Sequence, residues 1–347
     1  MVTGEQRALT MEPSTDVDSL MALRECSARL GADASLIQAG GGNTSIKQGD
    51  VLWVKASGRW LAQALHEPMF VPVSLSGVCR RIAAHEADPV GPETLTLPDA
   101  AGLRPSIETT LHALLPHRVV LHVHSVDALA WLVRDDAQER ITPLLRRLLW
   151  AWVPYVRPGV VLARVVARAL AQSPVDVVVL GNHGLVVGAD SAAEAEALLH
   201  EVVRRLALPA RGAPPADTAT LQRLSAGSAY RLPDDPACHA LATGAAQRAR
   251  AAGGALYPDH VVFLGGGLPV VEPGEAWPTG APAVLVAGAG VLVHESLDAA
   301  GQMMLRCLTD VLARVALPAK LRYLPEEEVG ALSNWDAEKF RRQHGHS

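Results

Sequence analysis

Cysteine is scarce and scattered. The 347 residues contain only Cys26, Cys79, Cys238 and Cys307, with no Cys-x-x-Cys. That spacing excludes a disulfide framework and a cysteine zinc cage, and predicts buried free thiols in a reducing cytoplasm. Lysine is as rare: only Lys47, Lys55, Lys320 and Lys339 occur. A Schiff-base aldolase needs a lysine in an apolar pocket, and only Lys47 and Lys55 lie near the motifs described below. No apolar run reaches the ~18–20 residues of a membrane-spanning helix. Glu5 and Arg7 come early with no apolar stretch around them, so no signal peptide is expected. No block of basic residues occurs and the net charge is −5, which argues against nucleic acid or an anionic membrane as partner.

What is present is apolar and α/β in rhythm. Hydrophobic residues make up 49% of the chain, too many for a largely disordered protein. Residues 1–15 read as a tail. Residues 16–30 have helical periodicity, with Asp16 or Asp18 as cap and Gly31 at the end. A hairpin is expected from Asn43–Lys47 and Val51–Lys55 around Gln48-Gly49-Asp50, then a short helix near Trp60–Ala64. Phe70–Val73 reads as a strand and Ser74–His85 as a helix. Asp88–Leu103 reads as an exposed loop, Ile107–Leu115 as a helix opened by Pro105-Ser106, and Arg118–His124 as a buried strand. Helices follow at Val126–Val133 and at Thr142–Trp150, the latter capped by Thr142 with Pro143 as first helical residue. Val153–Val156 is strand-like, Gly159–Ala171 helical, Val175–Leu180 and Leu185–Val187 strands, and Ser191–Leu206 a helix. This alternation argues α/β and, taken alone, a parallel sheet.

The Pro/Ala-rich stretch Leu208–Thr218 is the best linker candidate. Beyond it, Pro236–Ala252 reads helical, Val261–Leu264, Ala283–Val286 and Val291–Val293 as strands, and Leu297–Val315 as a helix. Glu326–Gln343 reads as a charged surface helix. The expected organisation is a tail (1–15), a main domain (16–210), a linker (211–229) and a C-terminal α/β extension (230–347) of unknown role.

The chemistry concentrates in a few strings. In Leu121-His122-Val123-His124 the two histidines are two apart on a strand, so both face one side and can reach one ion. Imidazole suits zinc and neighbouring divalent metals. Such a pair alone is often just two hydrogen-bonded histidines at a strand end. A second apolar strand, however, leads into Gly181-Asn182-His183-Gly184 and offers His183 as third ligand. Three histidines leave a coordination position open, as catalysis needs. Glu108, in the first turn of its helix with His112 four residues on, reads either as a helix-dipole partner or as a proton carrier beside the metal. Gly40–Ser45 can bring backbone N–H groups close to an anion, or simply lead into the hairpin. Ser106 reads as an N-cap or a phosphate donor. Gly288-Ala289-Gly290 lacks the third glycine of a dinucleotide fingerprint, since Val293 stands there.

Taken in order, Gly42-Asn43-Thr44-Ser45, Lys55-Ala56-Ser57-Gly58, Pro105-Ser106-Ile107-Glu108 with His112, His122-Val123-His124, Tyr155 with Pro158-Gly159, and Asn182-His183-Gly184 resemble the class II aldolase/adducin family over residues 17–210. Pro-Ser-Ile-Glu-Thr, Tyr257-Pro258-Asp259-His260 and Trp335-Asp336-Ala337-Glu338-Lys339 are similar to the aldolase half of bacterial bifunctional rhamnulose-1-phosphate aldolase/short-chain dehydrogenase proteins. The resemblance implies a three-layer α/β/α domain with a mixed, largely antiparallel sheet. It implies Zn²⁺, or another divalent transition metal, on His122, His124 and His183. Glu108 is then the acid/base, and Gly42, Asn43, Ser57, Gly58 and Ser106 bind a substrate phosphate.

The implied reaction is retro-aldol/aldol cleavage of a phosphorylated ketose, through a metal-stabilised enediolate, to dihydroxyacetone phosphate and an aldehyde. The implied partners are a sugar or sugar-phosphate substrate, further copies of the chain in a homotetramer, and a separate dehydrogenase. Two departures stand out. Ile107 replaces a second serine, and Lys-Ala-Ser-Gly replaces a Thr-Pro-Thr-Gly turn, adding a cation at Lys55. An epimerase, dehydratase or decarboxylase on the same site, or a non-catalytic adducin-like binding module, remain alternatives.

Overall fold

The computed structural model describes residues 14–96, 102–272, 275, 277–278 and 280–344. The expected tail therefore lies mostly outside the described residues, as does part of the Asp88–Leu103 loop. Strands β1 (Asn43–Gln48), β2 (Val51–Lys55), β3 (Phe70–Ser74), β4 (Val119–Val123), β5 (Trp150–Val153), β6 (Val177–Leu180) and β7 (Gly184–Ala189) form one sheet, ordered β3-β2-β1-β4-β7-β6-β5. Only β5 and β6 pair in parallel; the other neighbours are antiparallel. The sheet is thus mixed and largely antiparallel, not the parallel sheet that alternation alone suggests.

Helices α1 (Ser14–Ala32), α2 (Leu75–Ala83), α3 (Thr109–Leu114), α4 (Val126–Leu132), α5 (Ala137–Ile141), α6 (Val160–Leu170) and α7 (Ala192–Leu206) cover it. The two-residue period of β4 sorts its side chains. Val119, Leu121 and Val123 pack with Leu23 and Leu30 of α1 and Leu199 and Val202 of α7. Val120 packs on the opposite face with Leu111 of α3 and Leu162 and Val166 of α6. The leucines of both layers are fully or almost fully buried, each contributing about 1.5–3 kcal/mol. His122 shares the parity of Val120, so it faces α3.

A second, four-stranded sheet follows in the order β8-β11-β10-β9, from β8 (Tyr230–Arg231), β9 (Val270–Val271), β10 (Ala283–Val286) and β11 (Gly290–His294). It is accompanied by α8 (Thr218–Ser225), α9 (Ala240–Thr243), α10 (Ala245–Ala252), α11 (Pro258–Leu264), α12 (Ala299–Arg314), α13 (Glu326–Asn334) and α14 (Asp336–Gln343). Val126, Leu129, Ala130 and Val133, in and just after α4, share one core cluster with Met304, Leu305, Leu308 and Val311 of α12. The C-terminal part is therefore packed on the first sheet's own helices. Among the described residues no helix is long and apolar enough to cross a membrane.

Several local expectations are corrected. Val261–Leu264 is the last half of a helix, with Pro258 in its first turn; an apolar run of that length fits either state. Thr142 ends a helix, and does not start one. Its hydroxyl donates back to the Gln138 carbonyl at 2.7 Å, and Pro143 cannot continue the ladder. Trp150 then opens β5. Pro236–Ala252 is broken into a 3-10 turn and two short helices. Glu326–Gln343 is interrupted at Trp335, and its second part is not all surface: Glu338 is buried. The helix expected from Ile107 begins at Thr109 with Glu108 in the cap position. Ser106 caps only the preceding turn, its hydroxyl accepting from the Glu108 N–H at 3.2 Å. Asp16 and Asp18 lie inside α1, which runs one residue past Gly31. A Cβ at Gly31 would lie 2.1 Å from the Ala62 nitrogen, so that glycine serves helix packing.

Candidate metal centre and active site

β1 and β4 pair with Asn43 opposite His122, and β4 and β7 with His122 opposite Val186. His124 follows directly after β4, and His183 sits in the tight turn from β6 into β7. That turn needs Asn182 at φ 52°, a conformation asparagine tolerates better than most residues. The ring nitrogens of His122, His124 and His183 come within 4.8 Å of one another, all three residues being buried. Gly184 leaves room for the rings: a Cβ there would lie 3.0 Å from His124 Cδ2 and 3.2 Å from His122 Cε1. Gly42, at φ +58°, lies beneath them, and a Cβ there would meet the His122 carbonyl at 2.8 Å.

The hydrogen bonds fix which nitrogens face inward. His122 Nδ1 donates to the Leu185 carbonyl at 2.9 Å, and His124 Nδ1 to Asp259 Oδ2 at 2.7 Å. Their Nε2 atoms are left 3.1 Å apart. Two neutral imidazole lone pairs repel at that distance unless a proton or a metal ion sits between them. Two ligands bound tetrahedrally to one zinc at ~2.0–2.1 Å lie ~3.3 Å apart, so the spacing suits a metal. Glu108 completes the cluster. Its Oε2 lies 3.2 Å from His122 Nε2, and its Oε1, 3.5 Å from His183 Nε2, is buried without a hydrogen-bond partner. The residues present therefore fit a divalent ion.

Glu108 is held by a chain of polar groups. Ser45 Oγ bonds His112 Nδ1 at 2.7 Å, His112 Nε2 bonds Asn43 Oδ1, and Asn43 Nδ2 donates to Glu108 Oε2 at 2.9 Å. Burial pushes His112 down to about 3, so it is neutral and fixes which way the Asn43 amide points. Burial also pushes His183 down to about 3. For Glu108, burial works upward, but His122 and His183 outweigh it and hold the carboxyl well below its usual range. Burial works against the charged form of His122, yet Glu108 raises it above its ordinary value. With no metal bound, His122 and Glu108 thus form a buried ion pair, and a metal ion would take the proton's place.

The five residues expected to hold phosphate do not converge. Gly42 and Asn43 belong to the cluster beneath the histidines. Ser57 and Ser106 line a cavity of about 600 Å³ together with Arg104, Ile107, Thr110, Trp335 and Phe340. The Arg104 guanidinium lies 4.3 Å over the Phe340 ring, and Thr110 Oγ1 is buried without a partner. Gly58 instead receives the end of α14: a Cβ there would lie 3.2 Å from the Arg341 carbonyl. Lys55 is buried, donates to the Gly40 carbonyl at 2.9 Å, and is pushed down by burial to about 7.

Sequence reasoning gave no role to three further residues at the centre. Asp259 is 3% exposed and bridges His124 and Arg341. Arg341 Nε also approaches Glu338 Oε2 at 2.7 Å, without hydrogen-bond alignment. The signal available was the Tyr257–His260 and Trp335–Lys339 strings, which marked these regions without saying what they touch. One guanidinium thus serves two buried carboxylates. Asp259 is held below its usual range, because Arg341 and His124 overcome its burial, whereas burial raises Glu338 to about 7. Ionising Glu338 therefore opposes folding. That penalty is absent below the ordinary value near 4.5, grows to about pH 7 and is constant above, amounting to about 3 kcal/mol. Glu338→Gln should accordingly stabilise the protein at pH 8 but not at pH 4.5, read by urea unfolding at both. An equal effect at the two pH values would refute it.

Residues 22–208, more than half of the chain, match the model of the class II aldolase and adducin N-terminal domain. The chain is 34% identical over 170 residues to the uncharacterized oxidoreductase YuxG of Bacillus subtilis, a match covering 45% of this chain and 24% of that protein. It thus spans about a quarter of that relative's length. Among solved structures, the N-terminal class II aldolase domain of a conserved protein from Thermoplasma acidophilum is 26% identical. The match covers 59% of this chain and 98% of that one, with a TM-score of 0.48. The L-fuculose-1-phosphate aldolase of Thermus thermophilus is 19% identical, covering 61% and 98%, with a TM-score of 0.39. By its domain match, the chain belongs to the class II aldolase and adducin family.

Proposed function

We propose that the chain is a divalent-metal-dependent lyase that makes or breaks a carbon–carbon bond in a sugar or sugar phosphate. In the cleavage direction it converts a ketose 1-phosphate to dihydroxyacetone phosphate and an aldehyde. The observation that carries this reading is the convergence of three buried imidazoles beside the Glu108 carboxylate, whose Oε1 has no hydrogen-bond partner. A bound zinc ion, or another divalent transition metal, supplies Lewis-acid stabilisation of the electron pair released when the bond breaks. His122, His124 and His183 hold it.

The other steps belong to the chain's own groups. Asn43 occupies Oε2 of Glu108 and keeps the carboxylate oriented, so Oε1 is the atom that accepts and returns the proton at the reacting carbon. Ser57, Ser106 and Arg104 offer donors to the phosphate end in the neighbouring cavity, and Thr110 adds a hydroxyl. The burial of Glu108 and the histidines excludes water from the reaction. Ile107, Leu95, Leu103 and Val160 make much of the cavity wall apolar, which favours a deoxy or otherwise apolar end on the substrate.

Elemental analysis tests the reading first. The parent should carry close to one divalent ion per chain and His122→Ala none, and the parent should release dihydroxyacetone phosphate from ketose 1-phosphates. Failure of the parent to bind or take up any metal would sink the lyase reading and leave the adducin-like binding module in its place. Metal without a cleavage product would move the proposal to the epimerase, dehydratase or decarboxylase chemistries of the same site.

A further inference from the structure

We infer that Asp259, from the C-terminal part of the chain, is a positioning residue for the metal centre: it fixes His124 with Nε2 turned toward the ion, and Arg341 locks it in place. This inference rests on the metal reading above.

The geometry is specific. Both Asp259 oxygens are committed, Oδ2 to His124 Nδ1 at 2.7 Å and Oδ1 to the Arg341 guanidinium. Neither is left to bind the ion, so Asp259 acts only through His124. A carboxylate on Nδ1 leaves Nε2 as the lone-pair nitrogen, holds the ring plane and makes the imidazole a stronger donor to a metal. The bond is sealed from water on one side by Gly41. A Cβ there would lie 3.0 Å from Asp259 Oδ2 and 3.3 Å from His124 Nδ1.

The segment that delivers Asp259 is itself tied to the turn carrying His183. Asn182 Nδ2 donates to the Leu256 carbonyl at 2.9 Å, just before α11, and to the Arg322 carbonyl at 2.7 Å. Pro258 and Asp259 then form the first turn of α11. Arg341 is fixed from the far end of the chain, in α14. The family match stops at residue 208, yet one of its three histidines is oriented by residues beyond that point. His122 uses a backbone carbonyl, Leu185 O, for the same purpose, whereas His124 depends on a side chain supplied from the C-terminal part.

The test is zinc affinity, measured by competition with a chromophoric chelator on the full chain. Parent, Asp259→Asn and His122→Ala are compared. Asn keeps the size and an acceptor oxygen but removes the charge, and loss of such a partner typically weakens metal binding about 10–100-fold. The expected order is parent tightest, Asp259→Asn weaker by that factor, and His122→Ala without measurable binding. In the cobalt-substituted proteins the visible d–d bands of Asp259→Asn should also shift, which a purely structural role would not cause. An affinity for Asp259→Asn within threefold of the parent, with His122→Ala empty, overturns this inference and leaves the metal reading standing. A parent that takes up no metal overturns both. Should Asp259→Asn not fold, nitrogen-15 spectra of the zinc-loaded parent decide: the His124 ring must be metallated at Nε2 and carry a hydrogen-bonded proton on Nδ1, and metallation at Nδ1 refutes the assignment.

Discussion

Glu108→Gln is expected to lower turnover by about 10²–10⁴-fold, the usual contribution of a positioned acid/base, while the protein keeps its fold and its metal. The substitution is nearly isosteric. The amide oxygen of Gln can accept from Asn43 Nδ2 as Glu108 Oε2 does now. The three imidazoles remain as they are, so metal content should match the parent. What is lost is the carboxylate beside the histidines that can take a proton and give it back. Because that transfer occurs in the transition state, kcat should fall far more than KM changes. Dihydroxyacetone phosphate release, coupled to a reporter dehydrogenase, reads kcat and KM, and elemental analysis reads the metal content. Turnover within about threefold of the parent, at full metal occupancy, would place the proton step on another residue.

The parts of this site legible in sequence are those whose geometry is local. His122 and His124 share a face because a strand alternates, and Val123 packs on the other side with α1 and α7 as that rule requires. His183 could be placed because an apolar strand runs straight into a Gly-Asn-His-Gly turn. What stayed hidden depends on contacts distant in sequence. Glu338 and Arg341 are three apart on a helix and look like any solvated ion pair of a charged tail. Glu338 is buried and the Arg341 side chain only 11% exposed, because Arg341 pairs with Asp259, some eighty residues earlier. Asp259 in turn was concealed by the misreading of Val261–Leu264, where valine and phenylalanine suggested a strand. Pro258 followed by an acidic residue, a common helix opening, was the better signal. Asn43 looked like a phosphate donor beside a glycine loop, yet His112 turns its amide toward Glu108. Composition and spacing cannot show which of two possible partners a buried amide finds.

That dependence on distant partners makes Arg341 the position where a single substitution should damage the protein most. Arg341→Met removes the cation from between Asp259 and Glu338, both 3% exposed. Glu338 can respond by taking up a proton, since burial already raises it to about 7. Asp259 is held below its usual range largely by Arg341, with His124 as its other partner. Removing one member of a buried pair typically costs about 3–5 kcal/mol, because the surviving charge is left without its partner. Methionine keeps much of the apolar stem, so most of that loss should be electrostatic. The sign of the cycle with Asp259→Asn then tests the explanation. If the damage comes from an uncompensated Asp259, the double variant Arg341→Met, Asp259→Asn should be more stable than the sum of the two single losses predicts, by more than about 1 kcal/mol in urea unfolding at pH 7.5. Additive losses would mean that Arg341 matters for its packing over the Phe263 ring and not for its ion pair with Asp259. The measurement should be made on metal-free protein, since a bound ion stabilises the folded state by mass action and would mask the pair it depends on.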